Sequence, residues 1–118
     1  MIVEIKGIKY KVKLLKKADY IKKYKDNSYA HVDREDREIL FRDDKINKKY
    51  VIHEVTHAFI NSLHLGSCNE LTLDDFEEII CELMEDHIGD IQNISNMIYK
   101  HLKEQTSGNG RKNRRRRV

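Results

Sequence analysis

Strands first and helices second: along these 118 residues the order of patterns predicts an α+β fold, a small antiparallel sheet packed on helices. Ile8, Tyr10, Val12 and Leu14 alternate with Lys9, Lys11 and Lys13, the period-two signature of a half-buried strand with one wet face. In the second half the apolar residues recur every three or four positions instead, as helices require. No internal repeat interrupts this order.

Ile2 to Ile5 reads as a first strand, joined to the Ile8 strand by a tight turn at Lys6-Gly7. Residues 16–25 predict a short lysine-rich helix with Ala18 and Ile21 facing inward, ended by Asp26-Asn27-Ser28. Tyr29 to Asp33 and Glu38 to Arg42 read as two further strands around a charged turn at Glu35-Asp36. Asp43 or Asp44 is the expected cap of a helix running to about His64, with Gly66 just beyond its end. Thr72 and Asp75 have the spacing of a capping box, opening a helix from about Leu73 to Ile88. Residues 91–104 are helical too, with Gly89 a break or a bend.

Length fits one domain. The formal charge of +3 conceals an asymmetry. Six of the 23 Lys and Arg lie in residues 106–118, leaving 17 in the remaining chain against all 20 Asp and Glu, a net −3. The expected division is therefore a folded domain over 1–105 and a disordered basic tail over 106–118, with Gly108-Asn109-Gly110 as its joint. Arg111 to Arg117 suits nucleic acid or another polyanion, but no aromatic residue interrupts the run, so base stacking is not indicated. No stretch is apolar enough to span a membrane, and the lysine-punctuated N-terminus lacks a signal-peptide core. Cys68 and Cys81, the only thiols, do not form a C-x-x-C pair. A cytoplasmic location is the expectation.

His53-Glu54-Val55-Thr56-His57 is the motif that bears on chemistry. Residues four apart on a helix share a face, so both imidazoles can ligate one zinc ion while the glutamate reaches a water beside it. In YVIHEVTHAFINSL, from Tyr50 to Leu63, Glu54 is the sole obligate charge. With Ile46 at 0°, His53 and His57 fall at roughly 340° and 20°, and Val51, Val55, Ala58, Phe59 and Leu63 spread over roughly 120–260°. Such a helix is buried on most of its surface, and a buried unpaired carboxylate costs several kcal/mol unless a metal or a catalytic task retains it.

Catalytic zinc usually takes three protein ligands plus water. A histidine three residues past a glycine would be needed at positions 63 and 60 for the longest form of the motif, and Leu63 and Ile60 stand there. His64 reads as a helix-end histidine. On the following helix, with Phe76 at 0°, Ile79, Ile80, Leu83, Met84, His87 and Ile91 span roughly 300° through 0° to 80°, Cys81 and Ile88 extend that face to about 140°, and Glu77 at roughly 100° falls within it. Glu77 is the carboxylate this helix is expected to bury and the first choice for third ligand; Glu78, Glu82, Cys81 and His87 are the alternatives. Glu78, Glu82 and Glu85 otherwise form a solvated face. His31, Tyr29, His87 and Tyr99 are the candidate donors to an oxyanion.

H-E-x-x-H with uncharged residues at the two x positions, followed by a helix bearing a glutamate, resembles the gluzincin zinc metallopeptidases. YAHVDREDREILFRDD, YVIHEVTHAFI and FEEIICELMEDHI together resemble the short ImmA/IrrE-type members found in bacteriophages and other mobile elements, over roughly residues 28–90. That resemblance implies a minimal zincin-like domain, with His53, His57 and Glu77 as zinc ligands, Glu54 as general base, and a protein or peptide as substrate. The chain departs from larger relatives in lacking a separate helix-turn-helix or sensory domain and in adding the Arg tail. Two other functions stay open at this point: a metal-stabilised, non-catalytic module that binds a host protein, and a polyanion-binding protein acting through its tail.

Overall fold

The computed structural model describes residues 1–25, 28–62 and 72–117, the side chains through residue 106. It is an α+β arrangement of four strands and four α-helices: β1 Ile2–Ile5, β2 Ile8–Leu15, α1 Lys17–Tyr24, β3 Ala30–Asp33, β4 Glu38–Arg42, α2 Lys48–Ser62, α3 Leu73–Glu82 and α4 Ile88–Arg117. A π-helical turn, Leu83–His87, joins α3 to α4, so Gly89 lies within a helix and breaks nothing. The backbone of α4 continues through the stretch expected to be a tail. His64, Gly66, Cys68 and the expected end of the motif helix lie outside the described residues. Among those described, no helix is long and apolar enough to cross a membrane.

The β1–β2 hairpin forms where the alternation placed it. Ile5 pairs with Ile8 across a two-residue turn in which Lys6 has φ 53° and Gly7 φ 82°. Both central residues are left-handed, as the twist of a tight hairpin demands, and glycine reaches that conformation without steric cost.

The sheet is mixed, not antiparallel as expected, with strand order β1-β2-β4-β3. β1–β2 and β3–β4 are antiparallel, but β4 runs parallel to β2, with Lys11 opposite Glu38 and Leu15 opposite Arg42. α1 separates β2 from β3 in sequence, and the β3–β4 hairpin returns with its second strand inserted beside β2. That makes β4 a central strand: all five of its residues are buried, whereas β1 and β3 are the edges. The charges at the ends of β4 are paired, Glu38 with Lys13 and Arg42 with Asp44, the latter through Nη2 to Oδ2 at 2.9 Å. Pairing is what makes their burial tolerable.

One face of the sheet contributes Val3, Ile5, Tyr10, Val12, Ile39 and Phe41 to the core. Against it pack Val51, Val55, Ala58 and Phe59 of α2, and then Ile91, Ile98 and Leu102 of α4. Leu40, pointing the other way along β4, and Tyr20 of α1 are buried outside this cluster. The helix that bears the motif is thus held between sheet and α4.

Asn47, rather than Asp43 or Asp44, starts α2: its Oδ1 accepts from the backbone N–H of Lys49 at 2.8 Å. Asp44 is engaged by Arg42, and Asp43 by the backbone N–H of Lys17 at 3.1 Å. The capping box of α3 forms as its spacing predicts, Asp75 N–H to Thr72 Oγ1 at 3.1 Å and Thr72 N–H to Asp75 Oδ2 at 2.9 Å.

Candidate functional site

α2 splits its side chains between two environments. Val51, Glu54, Val55, Ala58, Phe59 and Ser62 are buried, whereas His53 and His57 are exposed. The two histidines line an open cleft of about 760 Å³, with Tyr29 and Ala30 on one wall and Tyr50, Glu54, Thr56 and Ile60 along α2. One side of the cleft is therefore the end of the chain that enters edge strand β3. The floor is the motif helix.

Nε2 of His53 and Nε2 of His57 lie 3.0 Å apart, with the rings edge to face at 4.6 Å. Without a cation between them, one ring donates and the other accepts. Two imidazoles on one tetrahedral zinc, with bonds of ~2.0–2.1 Å, stand about 3.3 Å apart. A metal would replace the shared proton with little movement, so the pair fits a borderline cation of the zinc kind. Partial burial, followed by the nearby His53, Arg34 and His31, holds the His57 imidazole below its ordinary pKa. A neutral ring is the form that ligates.

Glu54 is 8% exposed, and burial pushes its carboxyl from 4.5 up to about 7. No cation or hydrogen-bond donor offsets that burial among the described residues. A carboxyl poised near neutrality, on the helix that holds two convergent imidazoles, is suited to taking up and releasing a proton.

Glu77 is exposed, and the lining of the cleft includes nothing from α3. The expected burial of Glu77 is thereby corrected. The apolar arc of α3 is wider than its contact: Ile79 is buried and Leu83 half-buried, whereas Phe76 and Ile80 face solvent. Glu77, two residues before Ile79, is nearly opposite it around the helix. Among the described residues, the side chains of His, Cys, Asp and Glu that lie close enough in threes to share an ion are Asp33, Asp36 and Glu38. That trio has another account. Asp33 Oδ1 accepts from the backbone N–H groups of Glu35 and Asp36, each at 3.0 Å, and Glu38 pairs with Lys13. An all-carboxylate set suits hard cations, not zinc.

Of the candidate oxyanion donors, Tyr29 lines the cleft, its ring 5.3 Å from Tyr50 and 4.6 Å beneath the Arg42 guanidinium carbon. His31 is exposed on β3 with its ring 4.6 Å from Tyr24. His87 is buried against Phe59, ring centres 5.6 Å apart, and Tyr99 packs on the core, so neither belongs to the cleft. Tyr50 and Lys49 line it unanticipated. For Tyr50 the signal was present: positions 50, 53 and 57 fall on one helical face. Cys81 is exposed and free. Set against known proteins, the chain matches no family model, no curated protein and no solved structure.

Proposed function

We propose that the chain is a zinc-dependent metallopeptidase of the ImmA/IrrE-like kind, hydrolysing peptide bonds with Glu54 as general base. The observation behind this reading is the conjunction, on one cleft, of two imidazole nitrogens 3.0 Å apart and a buried carboxyl between them in sequence whose pKa lies near 7. His53 and His57 are two ligands. The third is a carboxylate of α3, Glu77 ahead of Glu78, both without a partner among the described residues and both needing α3 to approach the histidines.

Zinc held by His53 and His57 would supply a Lewis acid able to acidify a water and polarise a carbonyl. Glu54 accepts the attacking water's proton at a carboxylate oxygen and returns it to the departing amine. β3 offers the outer backbone groups of Ala30 to Asp33, so an extended substrate adds as a fifth strand beside the cleft. β4, between β2 and β3, has no free edge to offer. The Tyr29 hydroxyl is the first choice for oxyanion donor.

Metal content by mass spectrometry, with cleavage of a peptide library, tests the reading. The expected result is one zinc per chain, lost in His53→Ala and His57→Ala, with Glu54→Gln keeping zinc but not cleavage. Comparing Glu77→Ala with Glu78→Ala assigns the third ligand. Purified protein without stoichiometric metal overturns the proposal. The solvent-facing Glu77 favours one second reading, a metal-stabilised module that binds without cutting; in that case zinc is present and the wild type cleaves nothing.

A further inference from the structure

A second hollow, of about 560 Å³, opens between the β3–β4 turn, α2 and α3. Phe76, Ile79, Ile80 and Leu83 give it an apolar wall, and Tyr10 of β2 lines it too. Its charged part is Arg34 and Arg37, both exposed. Neither is ion-paired among the described residues, and no carboxylate of those residues lines the hollow. Ile60 lines both this hollow and the histidine cleft. It follows His57 by three residues and so shares its helical face. The two hollows adjoin.

The turn that carries the arginines sorts its charges between the two faces of the sheet. Asp33 lies opposite Glu38, and Glu38 opposite Lys11. Cross-strand partners share a face, so both carboxylates lie on the side away from Tyr10, Ile39 and Phe41. Backbone N–H groups engage Asp33 and Lys13 engages Glu38. Two tyrosines register the same division. Burial, then Asp33, Tyr20, Glu38 and Asp36, raises the hydroxyl pKa of Tyr24. Burial also raises that of Tyr10, but there Arg37 and Arg34 oppose it. Arg37 is left-handed at φ 54°, held by the Lys11 N–H, which donates to its carbonyl at 2.9 Å.

We infer that this hollow is a specificity subsite, which takes from the substrate a bulky apolar side chain and holds a neighbouring carboxylate with Arg34 and Arg37. The inference rests on the peptidase reading, whose cleft it adjoins. Guanidinium groups pair with carboxylates through two parallel N–H donors, and two unneutralised ones beside an apolar wall repel a basic substrate. Phe76 and Ile80, 49% and 59% exposed, gain cover from the apolar side chain. The carboxylate comes from an Asp or Glu side chain or from a peptide's C-terminus, which present the same pair of oxygens.

The test is fluorescence anisotropy with the full chain in chelator, which prevents metal-dependent cleavage. The probes are labelled peptides sharing one Phe in a Gly-Ser background. One carries Phe-Glu with an amidated end, one Phe-Gln with an amidated end, and one stops at Phe with a free carboxylate. An acidic peptide is expected to bind about tenfold tighter than Phe-Gln, and the tighter of the two acidic ones identifies the carboxylate's source. Serine in place of the Phe should weaken the acidic peptide by about tenfold as well. Arg34→Gln and Arg37→Gln, at exposed positions, are expected to remove most of the acidic preference and leave Phe-Gln binding unchanged, which also shows that both variants fold. Equal binding of all three peptides overturns the inference. So does an acidic preference that survives both substitutions, or the absence of saturable binding. Zinc content is read separately: protein without zinc that keeps the acidic preference overturns the peptidase reading alone.

Discussion

Glu54 makes the metal-free protein pay for its charge, and the cost is measurable as a pH-dependent gain in Glu54→Gln. The folded-state pKa is about 7 against an ordinary 4.5 because the side chain is buried. A raised folded pKa means that the native state holds the proton more tightly than the unfolded chain. The associated stability is complete below pH 4.5 and disappears as pH rises through about 7. At about 1.4 kcal/mol per pH unit, the whole interval is worth roughly 3 kcal/mol. Glutamine has nearly the same shape and no charge to desolvate. In chelator, Glu54→Gln is therefore expected to match wild type near pH 4.5 and to exceed it by about 2–3 kcal/mol at pH 8. Urea unfolding at both pH values reads this as a midpoint shift of about 1–2 M at pH 8. Equal midpoints at pH 8, or a less stable variant, would show that the carboxylate is solvated or paired in solution and that burial does not govern it. Zinc added to wild type should recover part of the deficit, since any ligand of the native state stabilises it.

Three further outcomes follow from the packing. Phe59→Ala empties a fully buried site between the sheet and α4 and should cost about 3–5 kcal/mol in urea unfolding, with His87 losing its ring neighbour. Gly7→Ala meets no atom within 4 Å but must hold φ 82°, so about 1 kcal/mol of stability should disappear with no change in metal content. Thr72→Ala removes an acceptor of the α3 capping box; about 1 kcal/mol and a frayed first turn, seen in amide exchange, are expected, whereas Thr72→Ser should retain both.

Local rules were enough for several features. Alternation along Ile8 to Leu14 gave the strand, Lys6-Gly7 its hairpin, Thr72 and Asp75 their cap, and the spacing of His53 and His57 a shared helical face. Each depends on residues within a turn or two of one another. Sequence alone could not orient β4 against β2, because strand direction depends on where α1 and the β3–β4 hairpin return the chain. Nor could it say which edge of the wide apolar arc of α3 is buried. That depends on what α3 meets: Ile79 found the core, Ile80 did not, and Glu77 turned outward with it. Position along a chain determines which side chains share a face, whereas only packing against other elements determines which face is covered.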